Sequence, residues 1–293
     1  MSLKLLPEAS YYRVPAAPHV ELNVAVVGSG PAVVLLHGFP QTHHMWRHVA
    51  AKLAADHTVI VPDLRGYGDS DKPKESNEHT YSKRTMAADV VAVARALGHE
   101  RFALAGHDRG ALVAIRAGLD HPNNVSHLLT LDVLPTLDMW DILHGADAKV
   151  AWHLYLMAQP AGVAEPMIEA TADTFFASFL DGWTSNPEAI PAEYRHHYLS
   201  ASANAVPSIV ADYRASAGID VEHDRADRES GHILGMPVTV LQQNWGAVLG
   251  YDAAALWGKW ASDLEHRTLN AGHFMAEEDP ESVTTALREL MNR

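Results

Sequence analysis

The segment Phe102–Gly110, FALAGHDRG, places an aspartate where the chain must turn sharply. A short apolar run reads as a buried strand. It passes through Gly106-His107-Asp108-Arg109-Gly110 directly into a helical pattern beginning Ala111-Leu112-Val113. The flanking glycines let such a turn pass close to its neighbours and lift the central side chain above the sheet, the position of a nucleophile. Taken alone, an aspartate before a helix is as readily an N-cap. Two further residues tip the balance. Asp132 follows the apolar run His127–Leu131, and His273, in Asn270-Ala271-Gly272-His273-Phe274, follows the run His266–Leu269. Nucleophile, acid and imidazole base in that chain order form a set in which histidine activates water and the acid orients it. Asp252, after the run Val238–Leu241, is the rival acid; Asp132 is preferred. A carboxylate nucleophile suits in-line displacement at a saturated carbon. The ester it leaves has its carbonyl on the protein, where water can cleave it.

Strand ends are what must hold these groups. Val20–Val27, Ala32–Leu36, Thr58–Val61, Phe102–Ala105, His127–Leu131, Val238–Leu241 and His266–Leu269 read as strands, mostly continuous apolar runs of the kind found in a sheet buried on both faces. Met45–Ala54, Tyr81–Leu97, Gly110–Asp120, Ala253–Ser262 and Pro280–Met291 read as helices between them. The alternation predicts an α/β class with a mostly parallel, doubly wound sheet. It stops between about 135 and 221, where a helical insertion is expected, dividing a core of residues 1–134 and 222–293. Ten of the 22 aromatic residues fall between Trp140 and Tyr213, enough to roof an apolar pocket. Glu222–Glu229, EHDRADRE, reads as a solvated return linker.

Composition narrows the partners. With 22 basic against 36 acidic side chains, the formal charge of −14 argues against nucleic acid and anionic lipid. No run approaches the 18 apolar residues or so of a membrane span. The opening residues show neither a hydrophobic core segment nor a cleavage site of a secretory signal, so a cytoplasmic protein is expected. There is no cysteine. The pairs His43-His44 and His196-His197 lack a nearby carboxylate at ligand spacing and read as surface histidines, so neither metal nor cofactor is expected.

The residues HGFPQTHHMW (37–46), PDLRGYGDSDKP (62–73), GHDRGA (106–111), LDVLPT (131–136) and GHFMAEEDP (272–280) resemble the α/β-hydrolase branch that contains epoxide hydrolases and haloacetate dehalogenases. The resemblance covers nearly the whole chain. It implies an α/β-hydrolase fold with an inserted helical cap, and a covalent mechanism in which Asp108 attacks, His273 activates water and Asp132 orients the histidine. The backbone N–H groups of Phe39 and Arg109 would form the oxyanion hole. A cis bond between Phe39 and Pro40 fits the sharp exit needed to aim the Phe39 N–H at the site.

The leaving group decides the substrate. An epoxide leaves as an alkoxide and needs a proton donor; a halide needs a nest of donors. In Cif-type epoxide hydrolases a cap His/Tyr pair holds the epoxide oxygen, and His153 and Tyr213 occupy similar contexts. Fluoroacetate dehalogenases carry that pair too, but add a tryptophan after the histidine and a second arginine, where this chain has Leu154 and Leu112. Leucine cannot hydrogen-bond fluoride, and one arginine grips a carboxylate less well than two. Haloalkane dehalogenases place tryptophan beside the nucleophile, where Arg109 stands. The expectation is an epoxide hydrolase opening a small apolar epoxide to a vicinal diol, with His37, Pro40, Arg109, Leu112, Trp152 and Leu154 lining the pocket. A haloacetate dehalogenase is the alternative and a non-catalytic ligand receptor a distant third. The only partners expected are the small substrate and water; a homo-oligomer is compatible.

Overall fold

The apolar runs pair side by side. In the computed structural model, which describes residues 3–293, the strands are β1 (Ser10–Ala17), β2 (Val20–Val27), β3 (Ala32–Leu36), β4 (Thr58–Pro62), β5 (Phe102–His107), β6 (Val125–Leu131), β7 (Val238–Gln242) and β8 (Leu264–Thr268). They form one sheet in the order β1-β2-β4-β3-β5-β6-β7-β8. β1–β2 and β2–β4 are antiparallel, and the remaining pairs are parallel. Every residue of β3, β5 and β7 is buried, because helices cover both faces. Alternate side chains feed two cores. Val34, Leu36, Phe102 and Leu104 face one layer with the helices Lys83–Ala96 and Arg109–Asp120; Val33, Leu35, Ala103 and Ala105 face the other with Arg47–Leu53 and Pro280–Met291.

Sequence and structure part at several elements. β1 was not expected, since its polar, Pro15-containing pattern is that of an edge, and it is indeed the edge strand. The helix expected from Tyr81 starts at Lys83 because Ser82 caps it, accepting from the Thr85 N–H. The one expected over 253–262 ends at Trp257. His43 and His44 are buried rather than on the surface: His43 Nδ1 lies 2.8 Å from Asp63 Oδ1, and His44 Nε2 donates to the Leu3 carbonyl at 3.2 Å. Among the described residues no group of His, Asp or Glu is arranged to hold a metal ion.

Between β6 and β7 only helices occur, from Thr136–Ile142 through Val206–Ala217 to Ile219–Ser230. The expected linker 222–229, and with it the expected boundary at 222, falls inside this last helix. Its charges are not all solvated. Asp220, Asp224 and Asp227 recur at helical spacing on one buried face, where Arg116 Nη2 donates to Asp224 at 2.6 Å and Nη1 to Asp227 at 2.5 Å. A count of charges misses this because the compensating cation lies on a distant helix. Among the described residues no helix is long and apolar enough to cross a membrane.

Candidate active site

The site is assembled at the C-terminal ends of β3, β5, β6 and β8, with β7 supplying support. Asp108 follows β5 with φ +48° and ψ −117°, a conformation that costs a non-glycine residue about 1–3 kcal/mol. Its carbonyl accepts from the Ala111 and Leu112 N–H groups and so opens the following helix. Its side chain makes no capping bond; Oδ1 instead accepts from the Phe39 N–H at 2.8 Å. The N-cap role therefore does not describe this residue. Close packing explains the glycines: a Cβ on Gly110 would lie 2.3 Å from the His37 carbonyl oxygen, and one on Gly38 2.5 Å from the Asp108 Cβ. The Phe39–Pro40 peptide is cis, as the exit from β3 predicts. Arg109, the second expected donor, makes no backbone N–H bond to the Asp108 carboxylate among the described residues.

Asp132 sits at the end of the neighbouring strand, also with positive φ, +50°. Its Oδ2 accepts from His273 Nδ1 at 2.7 Å and from Gln243 Nε2 at 2.7 Å, and its Oδ1 from the Gln243 N–H at 2.9 Å. Burial opposes its ionisation, but His273 and Gln243 outweigh that and hold the carboxyl below its ordinary range. Reciprocally, burial lowers the pKa of His273 while Asp132 raises it, and the net shift is upward. The other ring nitrogen, Nε2, is buried without a protein partner and lies 3.9 Å from Asp108 Oδ2. Asp252, the rival acid, caps the helix Ala253–Trp257 by accepting from the Ala255 N–H.

His153 and Tyr213 reach the same place from the insertion. Their rings are 5.8 Å apart and nearly perpendicular. Burial pushes the His153 imidazole down to about 3, leaving it neutral, and raises the Tyr213 hydroxyl well above its ordinary value, the nearby Asp108 charge adding to the rise. The Tyr213 hydroxyl and His153 Nδ1 are both buried without a hydrogen-bond partner among the described residues. Unsatisfied buried polar atoms are costly and uncommon.

One cavity of about 290 Å³ is lined by Asp108, Arg109, Leu112, Asp132, His153, Leu154, Tyr213 and His273, with Leu134, Met139 and Trp183 among its apolar walls. That volume is at the small end for ligand sites. Three expected pocket residues lie elsewhere. His37 is fully buried beneath the loop, its Nε2 accepting from the Leu64 N–H and its Nδ1 donating to the Gly38 carbonyl. Pro40 turns its carbonyl to the Ser202 hydroxyl. Trp152 is 45% exposed and stacks on the outer side of Phe179. Arg109 lines the cavity, yet its Nε and Nη2 are bound to the Asp212 carboxylate at 2.9 Å each.

Gln243 and His107 escaped the sequence reading. His107 Nε2 donates to the His273 carbonyl at 2.9 Å and so steadies the histidine loop. Gln243 follows β7 as Asp132 follows β6; the strand-end position was the available signal, but a neutral amide drew no attention.

Residues 31–280 match the alpha/beta hydrolase fold family. The chain belongs to that family and is a hydrolase. It is 38% identical to a fluoroacetate dehalogenase from Burkholderia sp. over 281 residues, covering 93% of this chain and 91% of that protein. It is 31% identical to a soluble epoxide hydrolase from Corynebacterium sp. (strain C12), over 91% and 92% of the two chains. A Pseudomonas aeruginosa structure provisionally named an epoxide hydrolase superposes with a TM-score of 0.93 at 36% identity, over 99% of this chain and 98% of that one.

Proposed function

We propose that this hydrolase opens small apolar epoxides to vicinal diols through an ester on Asp108, beneath a roof of helices contributed by residues 135–221. The observation that carries this reading is the pair of buried polar groups without protein partners, the Tyr213 hydroxyl and His153 Nδ1, in the cavity lined by the nucleophile. An alkoxide forming between them would receive hydrogen bonds from two groups that no protein atom engages, and binding that strengthens as charge develops is what lowers a barrier.

In the first step Asp108 Oδ2 attacks an epoxide carbon in line, the ring C–O bond breaks, and the oxygen takes the Tyr213 proton while neutral His153 supplies a second hydrogen bond. In the second, His273 Nε2 removes a proton from water, and the hydroxide adds to the Asp108 carbonyl carbon. The oxyanion develops on Oδ1, already held by the Phe39 N–H. Collapse expels the diol oxygen, which takes the proton from His273, and the proton left on the Asp108 carboxylic acid passes to the Tyr213 phenolate, restoring both groups. The sum is epoxide plus water giving diol. Asp132 stays ionised throughout and compensates the imidazolium.

The second reading is haloacetate dehalogenation, favoured by the Burkholderia relative and by Arg109 at the cavity wall. Against it stand Leu112 and Leu154 and the neutralisation of Arg109 by Asp212. Incubation with styrene oxide and, separately, with fluoroacetate tests the choice. Diol without fluoride release is expected; rapid fluoride release without diol overturns the epoxide reading.

A further inference from the structure

The joint between insertion and sheet carries more buried charge than packing requires. Asp212, in the helix Val206–Ala217, is fully buried and its carboxylate accepts from three other parts of the chain. Arg109, at the turn after β5, gives Nε to Oδ2 and Nη2 to Oδ1, and Nη2 also reaches the Asp212 carbonyl at 2.9 Å. The Tyr67 hydroxyl donates to Oδ2 at 2.6 Å, and Lys83 Nζ to Oδ1. Four donors fill the four lone-pair sites of one carboxylate. Lys83 also donates its backbone N–H to Asp220 at 2.8 Å. Burying such a cluster costs several kcal/mol per ion, and well-packed apolar residues often do as well for stability. What the charges add is a single allowed geometry.

That geometry converges on the reaction. Asp212 immediately precedes Tyr213, and Arg109 immediately follows Asp108. The Arg109 guanidinium carbon lies 4.1 Å from the Tyr213 ring centroid, so one cation touches both the clamp and the ring. We propose that Asp212 is a positioning residue: by gripping Arg109 beneath the Tyr213 ring, it fixes the Tyr213 hydroxyl opposite the Asp108 carboxylate across the joint between insertion and sheet. The inference deepens the epoxide reading and rests on it for the step affected. The anchoring of Tyr213 itself is independent of substrate.

The test is a double-mutant cycle on single-turnover ester formation with styrene oxide. Asp212→Ala should slow that step about 100-fold, the cost of misplacing a group by an ångström or so. In a Tyr213→Phe background the same change should cost about threefold or less, because the two act through one group. Asp212→Asn, which keeps an acceptor, should recover part of the rate, and the ester hydrolysis step should change little in any of these. Equal costs in both backgrounds overturn the proposal. If Asp212→Ala does not fold, the charge-balanced Lys83→Met/Asp212→Asn variant carries the same cycle. If the native enzyme makes no diol, the epoxide reading fails, and the anchoring is then judged by fluorine NMR of 3-fluorotyrosine placed at 213. A single sharp line in the native protein that shifts or broadens on Asp212→Asn supports the clamp; an unchanged line overturns it.

Discussion

The two halves of the site treat their polar atoms in opposite ways. At the strand ends, Asp132 has both oxygens engaged and His273 is held from one side, so charge and orientation are fixed in advance. In the insertion, Tyr213 and His153 are just as deeply buried but keep donors without partners. Satisfied groups make a rigid frame; unsatisfied ones are held for something that arrives. The strand ends leave one such atom as well, His273 Nε2 facing Asp108, and carry the backbone strain of the site at Asp108 and Asp132.

The largest expected effect breaks the strand-end half. His273→Ala should lower steady-state turnover by about 10⁴-fold or more, as removal of a triad member does, while still forming one equivalent of Asp108 ester. Intact-protein mass spectrometry checks this: one added substrate mass on Asp108 is expected, and sustained turnover contradicts the assignment. Breaking the insertion half should be milder and confined to the other step. Tyr213→Phe should slow ester formation by roughly 2–4 kcal/mol of barrier, comparable with loss of one oxyanion donor, with ester hydrolysis nearly unchanged in rapid-quench kinetics.

Acidity separates the halves as well. His273 acts as a base only when neutral, and its pKa lies above the ordinary 6.5. Ester hydrolysis should therefore rise about tenfold per pH unit on the acid side and level off only above that ordinary value. His153, at about 3, and Tyr213, well above 10, should add no inflection between pH 5 and 9. A stopped-flow pH profile with its only inflection below 6 would contradict this arrangement. The smallest effect belongs to the frame's outer brace. Gln243→Leu removes one side-chain bond but keeps the backbone N–H, and should cost about 1 kcal/mol in stability or in the hydrolysis step, read by thermal unfolding and the same stopped-flow trace.

The strand-end half was far more legible from sequence than the insertion. Asp108, Asp132 and His273 each follow an apolar run, and a sheet brings strand ends together whatever the loops do, so chain order alone brought the three side by side. The insertion has no such ruler. His153 and Tyr213 are 60 residues apart on separate helices, and only resemblance singled them out. Trp152, expected to line the pocket, faces outward while His153 faces in, because adjacent helical residues point about 100° apart. The 222–229 segment misled for a related reason: Asp224 and Asp227 are paired through tertiary structure with Arg116, which no local window contains.

On the proposed mechanism the Phe39 N–H bond to Asp108 Oδ1 also determines the ancestry of the product's oxygen. If the acyl bond of the proposed ester breaks, each diol leaves with the carboxylate oxygen that attacked, and water refills the enzyme. With Oδ1 pinned, the replacement atom always occupies the attacking position. In heavy-oxygen water the first diol should therefore leave unlabelled and every later one labelled, while Asp108 itself retains a single heavy atom however many cycles it completes. A second heavy atom in the Asp108 peptide would mean that the carboxylate turns over between cycles, losing its memory of which oxygen faces the substrate.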